Sequence, residues 1–250
     1  MMRNSYIIGM LLLMSCLQNN VNKEVVLSAK PIGHDKEIKK NEGAEEQEKT
    51  LQISTDELTK GALAYAKGDL DKDSIKELAV VNNVNKSNDD GTKRELIIYK
   101  NKNGVWMEWY KSSTAIMGDA DGGVMGDPFE DIAINNNVLS ISHWGGSSWM
   151  WGYDHKFRYQ NNEMELIGVT STFGKRCEEE EEFDFNVSTG HINYTNKVFT
   201  CDDEGNEKEE KEEKIKFTYT LDPKPVLKNF EPGMSTIFLV NGDIEKQFDY

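Results

Sequence analysis

Apolar residues are spaced in three ways along this chain, and each spacing predicts a different element. Residues 6–14 (YIIGMLLLM) form an unbroken apolar run behind Arg3. It is too short for a membrane-crossing helix, which needs roughly 20 residues, and has the length and basic start of a secretory h-region. Residues 16–53 show almost no apolar period. Asn19, Asn20, Asn22 and a Lys/Glu-rich stretch to Thr50 bury too little area to offset ordering, so a disordered charged tether is expected. Ser54 and Glu57 then have capping-box spacing, Leu58, Ala62 and Tyr65 recur at helical spacing, and Gly68 stands where a C-cap would, which predicts a short helix, with an edge strand as the alternative.

Beyond Gly68 the period becomes two. Strands are expected at 77–84 (ELAVVNNV), 95–100 (ELIIYK) and 105–110 (VWMEWY), the last two joined by a turn at 101–104. Further hairpins are expected at 131–135 with 138–143, at 155–160 with 163–170, and at 183–187 with 192–199. Residues 214–220 (KIKFTYT) read as the last strong strand. Hairpins in series with short turns mean a mainly β fold, an antiparallel meander, and a single β-rich domain over 54–250 is the simplest organisation.

The apolar run ends in Leu13-Met14-Ser15-Cys16, which resembles the bacterial lipobox; Met14 departs from its usual slot. The resemblance implies a signal peptide over 1–15 and a diacylglyceryl group on Cys16, carrying palmitate-type chains. It also implies a lipid-anchored place in the bacterial cell envelope, on the outer membrane if the cell is Gram-negative. The alternative is an ordinary signal peptide with a chance cysteine. A net charge of −15 argues against nucleic-acid or anionic-lipid contact, both of which need clustered Lys and Arg; the membrane is reached through the lipid. Aromatics at 10% and hydrophobics at 37% supply a core. Cys177 and Cys201 remain for one disulfide in an oxidising compartment. They are equidistant from Thr189, so direct pairing across an antiparallel hairpin would bring them within bonding reach.

The sharpest motif runs from Gly68 to Val80 (GDLDKDSIKELAV). Asp69, Asp71, Asp73 and Glu77 occupy positions one, three, five and nine of a calcium loop, and Ile75 offers its carbonyl at position seven; alternating carboxylates in a tight loop give the hard oxygens calcium needs. Val80 replaces the bidentate Glu of an EF-hand, and a strand follows instead of a helix. The segment resembles the calcium loop of FG-GAP and VCBS repeats over about residues 68–106, including the hairpin ELIIYKNKNGVW. Ser74 replaces the usual Gly at position six, and a single copy makes one propeller-like blade, not a propeller. As a whole the chain resembles bacterial lipoproteins that carry a single such element. An acidic turn without metal is the competing reading.

Three other stretches carry candidate chemistry. Asp119 and Asp121, in a glycine-containing loop with Asp127, can add carboxylates to a metal site or solvate their own turn. Residues 143–155 (HWGGSSWMWGYDH) hold Trp144, Trp149 and Trp151 with His143 and His155. These are candidates for a glycan or envelope-protein contact, or Trp149 and Trp151 alternate on one strand face and fill a core. Ser147 and Asp154 complete the ingredients of a nucleophilic triad without a nucleophile elbow, so no catalytic residue is assigned. The glutamates at 178–182 and the acidic segment 202–213 read as solvated faces. The expected function is a calcium-binding envelope lipoprotein with a structural or binding role; a glycan module, or an envelope enzyme or enzyme inhibitor, are the alternatives.

Overall fold

In the computed structural model, residues 53–86 and 91–250 are described, and Cys16, the expected signal peptide and all but the last residue of the expected tether lie outside them. Ser54 does cap a helix: its N–H donates to Glu57 Oε2 (2.9 Å) and its Oγ accepts from the Glu57 N–H (3.2 Å). The helix, α1 (Thr55–Leu58), lasts one turn. The expected continuation through Ala62 and Tyr65 is overturned. Gly61 takes a φ of 78 and ends it, and Ala64–Gly68 is strand β1, antiparallel to β2 (Glu77–Lys86). Small residues explain the strand: Ala64 and Ala66 pack on the core while Tyr65 and Lys67 point outward. Gly68 is no cap. A Cβ there would sit 2.4 Å from Ile134 Cγ2, so this glycine allows close approach to the next sheet.

Strands β1, β2, β3 (Thr92–Lys102) and β4 (Val105–Ser112) form a four-stranded antiparallel meander, one blade-like unit. A second sheet holds seven strands in reverse chain order: β11 (Glu207–Thr218), β10 (His191–Cys201), β9 (Glu179–Asn186), β8 (Glu163–Lys175), β7 (Met150–Gln160), β6 (Val138–Gly146) and β5 (Phe129–Asn135). Among the described residues no barrel closes and no propeller forms. The tight turns follow from side-chain chemistry. Two-residue connections at Asn103-Gly104, Asn136-Asn137 and Asn161-Asn162 all have both residues at positive φ, the type I′ geometry that Asn and Gly tolerate.

Sequence reading stopped one hairpin short. β12 (Thr236–Asn241) and β13 (Ile244–Asp249) pair with each other through Gly242-Asp243. The apolar run TIFLV and the Gly-Asp turn carried that signal. The hairpin presses Ile237, Leu239 and Phe248 into a core shared with Ile141, Phe157, Leu166, Phe185 and Tyr194 of the large sheet. The blade contributes Ala79, Val81, Leu96 and Ile98 to the same cluster. The described residues belong to one compact unit.

Candidate metal centre

The connection from β1 to β2 is wound around its own carboxylates. Asp69 accepts from the N–H groups of Lys72 (2.7 Å) and Ser74 (3.0 Å), Asp71 from that of Asp73 (3.3 Å), and Asp73 from that of Ile75 (2.7 Å). That last bond holds the Asp73 carboxyl below its ordinary range. Ser74 has a φ of 69, the left-handed conformation the sixth position of such a loop demands. With a Cβ this costs about 1 kcal/mol. Leu70 is fully buried in the core, and Asn137 Nδ2 donates to the Asp69 carbonyl (2.8 Å), so the loop is fastened to the β5–β6 turn.

Oxygens of Asp69, Asp71 and Glu77 lie within 4.8 Å of one another. Two oxygens bound to one calcium ion at about 2.3–2.6 Å are at most about 5 Å apart, so the three carboxylates fit a single ion. Asp73 stands beside this group, with Oδ2 3.4 Å from Lys100 Nζ, and Ile75 is exposed next to it. Glu77 is 0% exposed. One of its oxygens accepts from the Leu70 N–H (2.6 Å); the other, Oε1, is buried without a hydrogen-bond partner. Burial raises its carboxyl above the usual range, and the Leu70 N–H opposes that rise. Lys100, which sequence reading did not single out, is the cation that pairs with the loop's carboxylates, Asp71 and Asp73, while Lys72 and Lys76 of the loop itself are exposed. Lys100 hydrogen-bonds Asp71, which raises its own titration, and lies 5.0 Å over the Trp109 ring.

The second acidic loop satisfies itself. Asp119 accepts from the Thr92 N–H (2.6 Å), Asp121 from the Gly118 N–H (2.7 Å), and Asp127 from the Arg94 guanidinium at both oxygens. The Arg94 side chain is 1% exposed and also donates to the Met117 carbonyl (2.9 Å). It holds Asp127 below the ordinary carboxylate range. Sequence reading overlooked Arg94, because its place beside Lys93 and Glu95 carries no sign of its burial.

The 143–155 stretch is split between two faces. His143 and His155 are buried on the inner face of the large sheet, at 2% and 0% exposure. Asp154 is exposed on the other face, bonded to Ser142, so the triad ingredients are not assembled. Trp144 is also on the outer face. Trp149 and Trp151 are half-buried instead of filling a core. Trp149 stacks on Phe173 (5.2 Å, 9°), and Trp151 leans on Tyr153 (5.2 Å). Burial lowers His143 to about 4 and His155 to about 3, with the nearby Arg94 and His143 charges adding to each in turn.

Cys177 and Cys201 are bonded, with Cα atoms 5.1 Å apart, but not in the expected register. The β9–β10 ladder pairs His191 with Asn186 and Val198 with Glu179, so its centre falls between Ser188 and Thr189. Extended, it would set Cys201 opposite Arg176. Cys177 instead lies in the β8–β9 turn at a φ of 65, which swings it toward the end of β10. Its N–H donates to Glu207 of β11 (2.9 Å), so the bond ties a turn to two strands.

No family model matches the chain, and no curated protein or solved structure does either.

Proposed function

We propose that this chain is an exported bacterial lipoprotein, anchored through lipid on Cys16, whose β domain is stabilised by a calcium ion held at Asp69, Asp71 and Glu77. Asp73 and the Ile75 carbonyl stand at the loop's remaining oxygen positions. The observation that carries the metal is Glu77 Oε1. A carboxylate oxygen with neither solvent nor a donor is costly in a protein interior unless a cation meets it, and Lys100 bonds Asp71 instead. Every ligand lies on the β1–β2 hairpin, so the ion would order the loop that Asn137 fastens to the β5–β6 turn, which makes its role structural. The envelope placement rests on the 6–14 run and the LMSC sequence. The body above the anchor then serves a binding or scaffolding role.

The test is thermal unfolding of the full-length protein in EDTA and in millimolar calcium, for wild type, Asp71→Ala and Glu77→Gln. An ion bound only to the folded state at a hundredfold excess over Kd stabilises by about 2.7 kcal/mol, so calcium should raise the wild-type melting temperature by several degrees and leave both variants unmoved. A wild-type melting temperature indifferent to calcium reduces the loop to an acidic turn. Mass spectrometry of the same preparation should find an acylated N-terminal cysteine; an unmodified one refutes the anchor.

A further inference from the structure

The inner face of β7 carries a ring at every second position. Trp149 just before the strand, then Trp151, Tyr153, His155 and Phe157 form a row that passes from half-buried to fully buried. Gly145, opposite Trp151 on β6, leaves room for the indole: a Cβ there would meet Trp151 Cζ2 at 2.6 Å. Phe230 covers the deep end of the row, against His155 (4.6 Å) and Phe157 (5.2 Å), and the β12–β13 hairpin covers neighbouring β9, where Phe248 stacks on Phe183 (4.6 Å, 17°). Above that contact the face is open. A groove of ≈ 290 Å³ lies there, walled by Trp151, Tyr153 and Phe173 on one side and Phe183 and Phe248 on the other. Phe173 is 47% exposed.

Every charged residue lining this groove is acidic: Glu181 and Asp249. Lys246, outside it, bonds Glu181 (2.7 Å) and lies 4.5 Å over Tyr194, so it offsets one carboxylate. Asp249 has no cation paired with it among the described residues and sits close enough to Tyr153 to add to the burial that drives that phenol to about 12. Elsewhere the chain fills its ring faces with its own cations: Lys67 over Trp106, Lys100 over Trp109 and Lys175 over Trp149, at 5.4, 5.0 and 5.8 Å. Among the described residues no cation lies over Trp151, Tyr153 or Phe173.

We infer that this groove binds a small organic ammonium ion, an amine whose charge is wrapped in methyl or methylene groups. Such a cation is attracted by the negative faces of aromatic rings and by the carboxylates together, and its apolar surface matches the walls. The alternatives fit less well. An anion meets two carboxylates. A neutral apolar molecule desolvates them without pairing them. A hard metal ion prefers an all-oxygen shell to rings. The inference is independent of the metal loop, which lies on another sheet.

Choline is the probe, titrated into the full-length protein at constant ionic strength and read by tryptophan fluorescence and calorimetry. Its uncharged carbon isostere, with a tert-butyl group in place of trimethylammonium, is the comparison. Choline should bind saturably, and the isostere at least ~tenfold more weakly, the loss expected when a desolvated cation–π contact is removed. Trp151→Ala should weaken choline by ~tenfold, and Asp249→Asn, which keeps an acceptor for Thr236, by several-fold, the latter at unchanged melting temperature. Met107→Ala, exposed on β4 of the other sheet, should leave affinity intact. Should Trp151→Ala fail to fold, Asp249→Asn at its exposed position decides alone. Absence of saturable binding at tens of millimolar choline, equal affinity for the isostere, or full affinity in folded Asp249→Asn overturns the inference.

Discussion

Acid should unfold this protein through two buried imidazoles. His143 and His155 sit diagonally across the β6–β7 ladder on its inner face, where Ile141 pairs with His155 and His143 with Tyr153. His143 accepts the Met117 N–H at Nε2 (3.2 Å), while its Nδ1 and both nitrogens of His155 lack hydrogen-bond partners. In the native state they titrate at about 4 and about 3; in the unfolded chain both return to 6.5. Between pH 6.5 and 4 the unfolded state therefore holds protons that the native state refuses. Stability from this source is complete above about pH 6.5 and falls as pH drops, by up to about 1.4 kcal/mol per pH unit for each histidine. At pH 4.5 the two together cost about 5 kcal/mol, comparable with the whole stability of an ordinary domain. Glu77 works the other way, since a buried carboxyl with a raised pKa is relieved by protonation. The assay is urea unfolding at intervals from pH 7.5 to 4.5 for wild type, His143→Gln, His155→Phe and the double variant. Each substitution should remove roughly half of the wild-type slope. His155→Phe should be neutral or stabilising at pH 7.5, because a ring of similar shape beside Phe230 (4.6 Å) then buries no unpaired N–H. Parallel pH profiles in wild type and double variant would refute the reasoning.

Two further substitutions test how the sheets are joined. Gly68→Ala drives a Cβ to 2.4 Å from Ile134 Cγ2 and should cost about 1–3 kcal/mol in urea unfolding, with no loss of calcium response if only packing suffers. Arg94→Met leaves the Met117 carbonyl without its side-chain donor and Asp127 with only the Phe129 N–H; because the Asp127 side chain is 44% exposed and can rehydrate, the loss should be about 2 kcal/mol, and limited proteolysis should find new cleavage near residues 117–127.

The hairpins were legible because their signals are local. A two-residue type I′ turn needs two positive φ angles, and Asn-Gly or Asn-Asn between alternating apolar positions announces it within a few residues. The helix start at Ser54 was local too, but its continuation through 59–68 was misread for the opposite reason, and the alternative of an edge strand is what Ala64–Gly68 forms. Ala62 and Tyr65 satisfy a helical period by chance, while the strand they belong to is decided by distant partners: Val81 and Val80 across the ladder, and Ile134 against Gly68. Propensity yields to such contacts. The disulfide was found by counting cysteines, yet its register was misjudged by one step, because a turn residue at positive φ breaks the symmetry that equidistance assumes.

The candidate site divides along the same line. A calcium loop is nearly all sequence: Asp69, Asp71 and Glu77 fall together because alternate residues in a tight turn converge. What the loop sequence omits is the environment that gives it meaning. Whether Glu77 is a solvated carboxylate or a buried one with an orphaned oxygen depends on Leu70 entering the core and on β2 being an interior strand. Whether the loop is neutralised from within depends on Lys100, which arrives from β3. The aromatic groove is less legible still. Its near wall is written in the alternation of Trp149, Trp151 and Tyr153, but its far wall comes from β9 and from a terminal hairpin, and its charge from Asp249. A row of rings on a strand reads as core until it is known where the covering layer stops. Here it stops at Phe248, and that placement leaves rings of the upper row, Phe173 most of all, facing solvent beside two carboxylates.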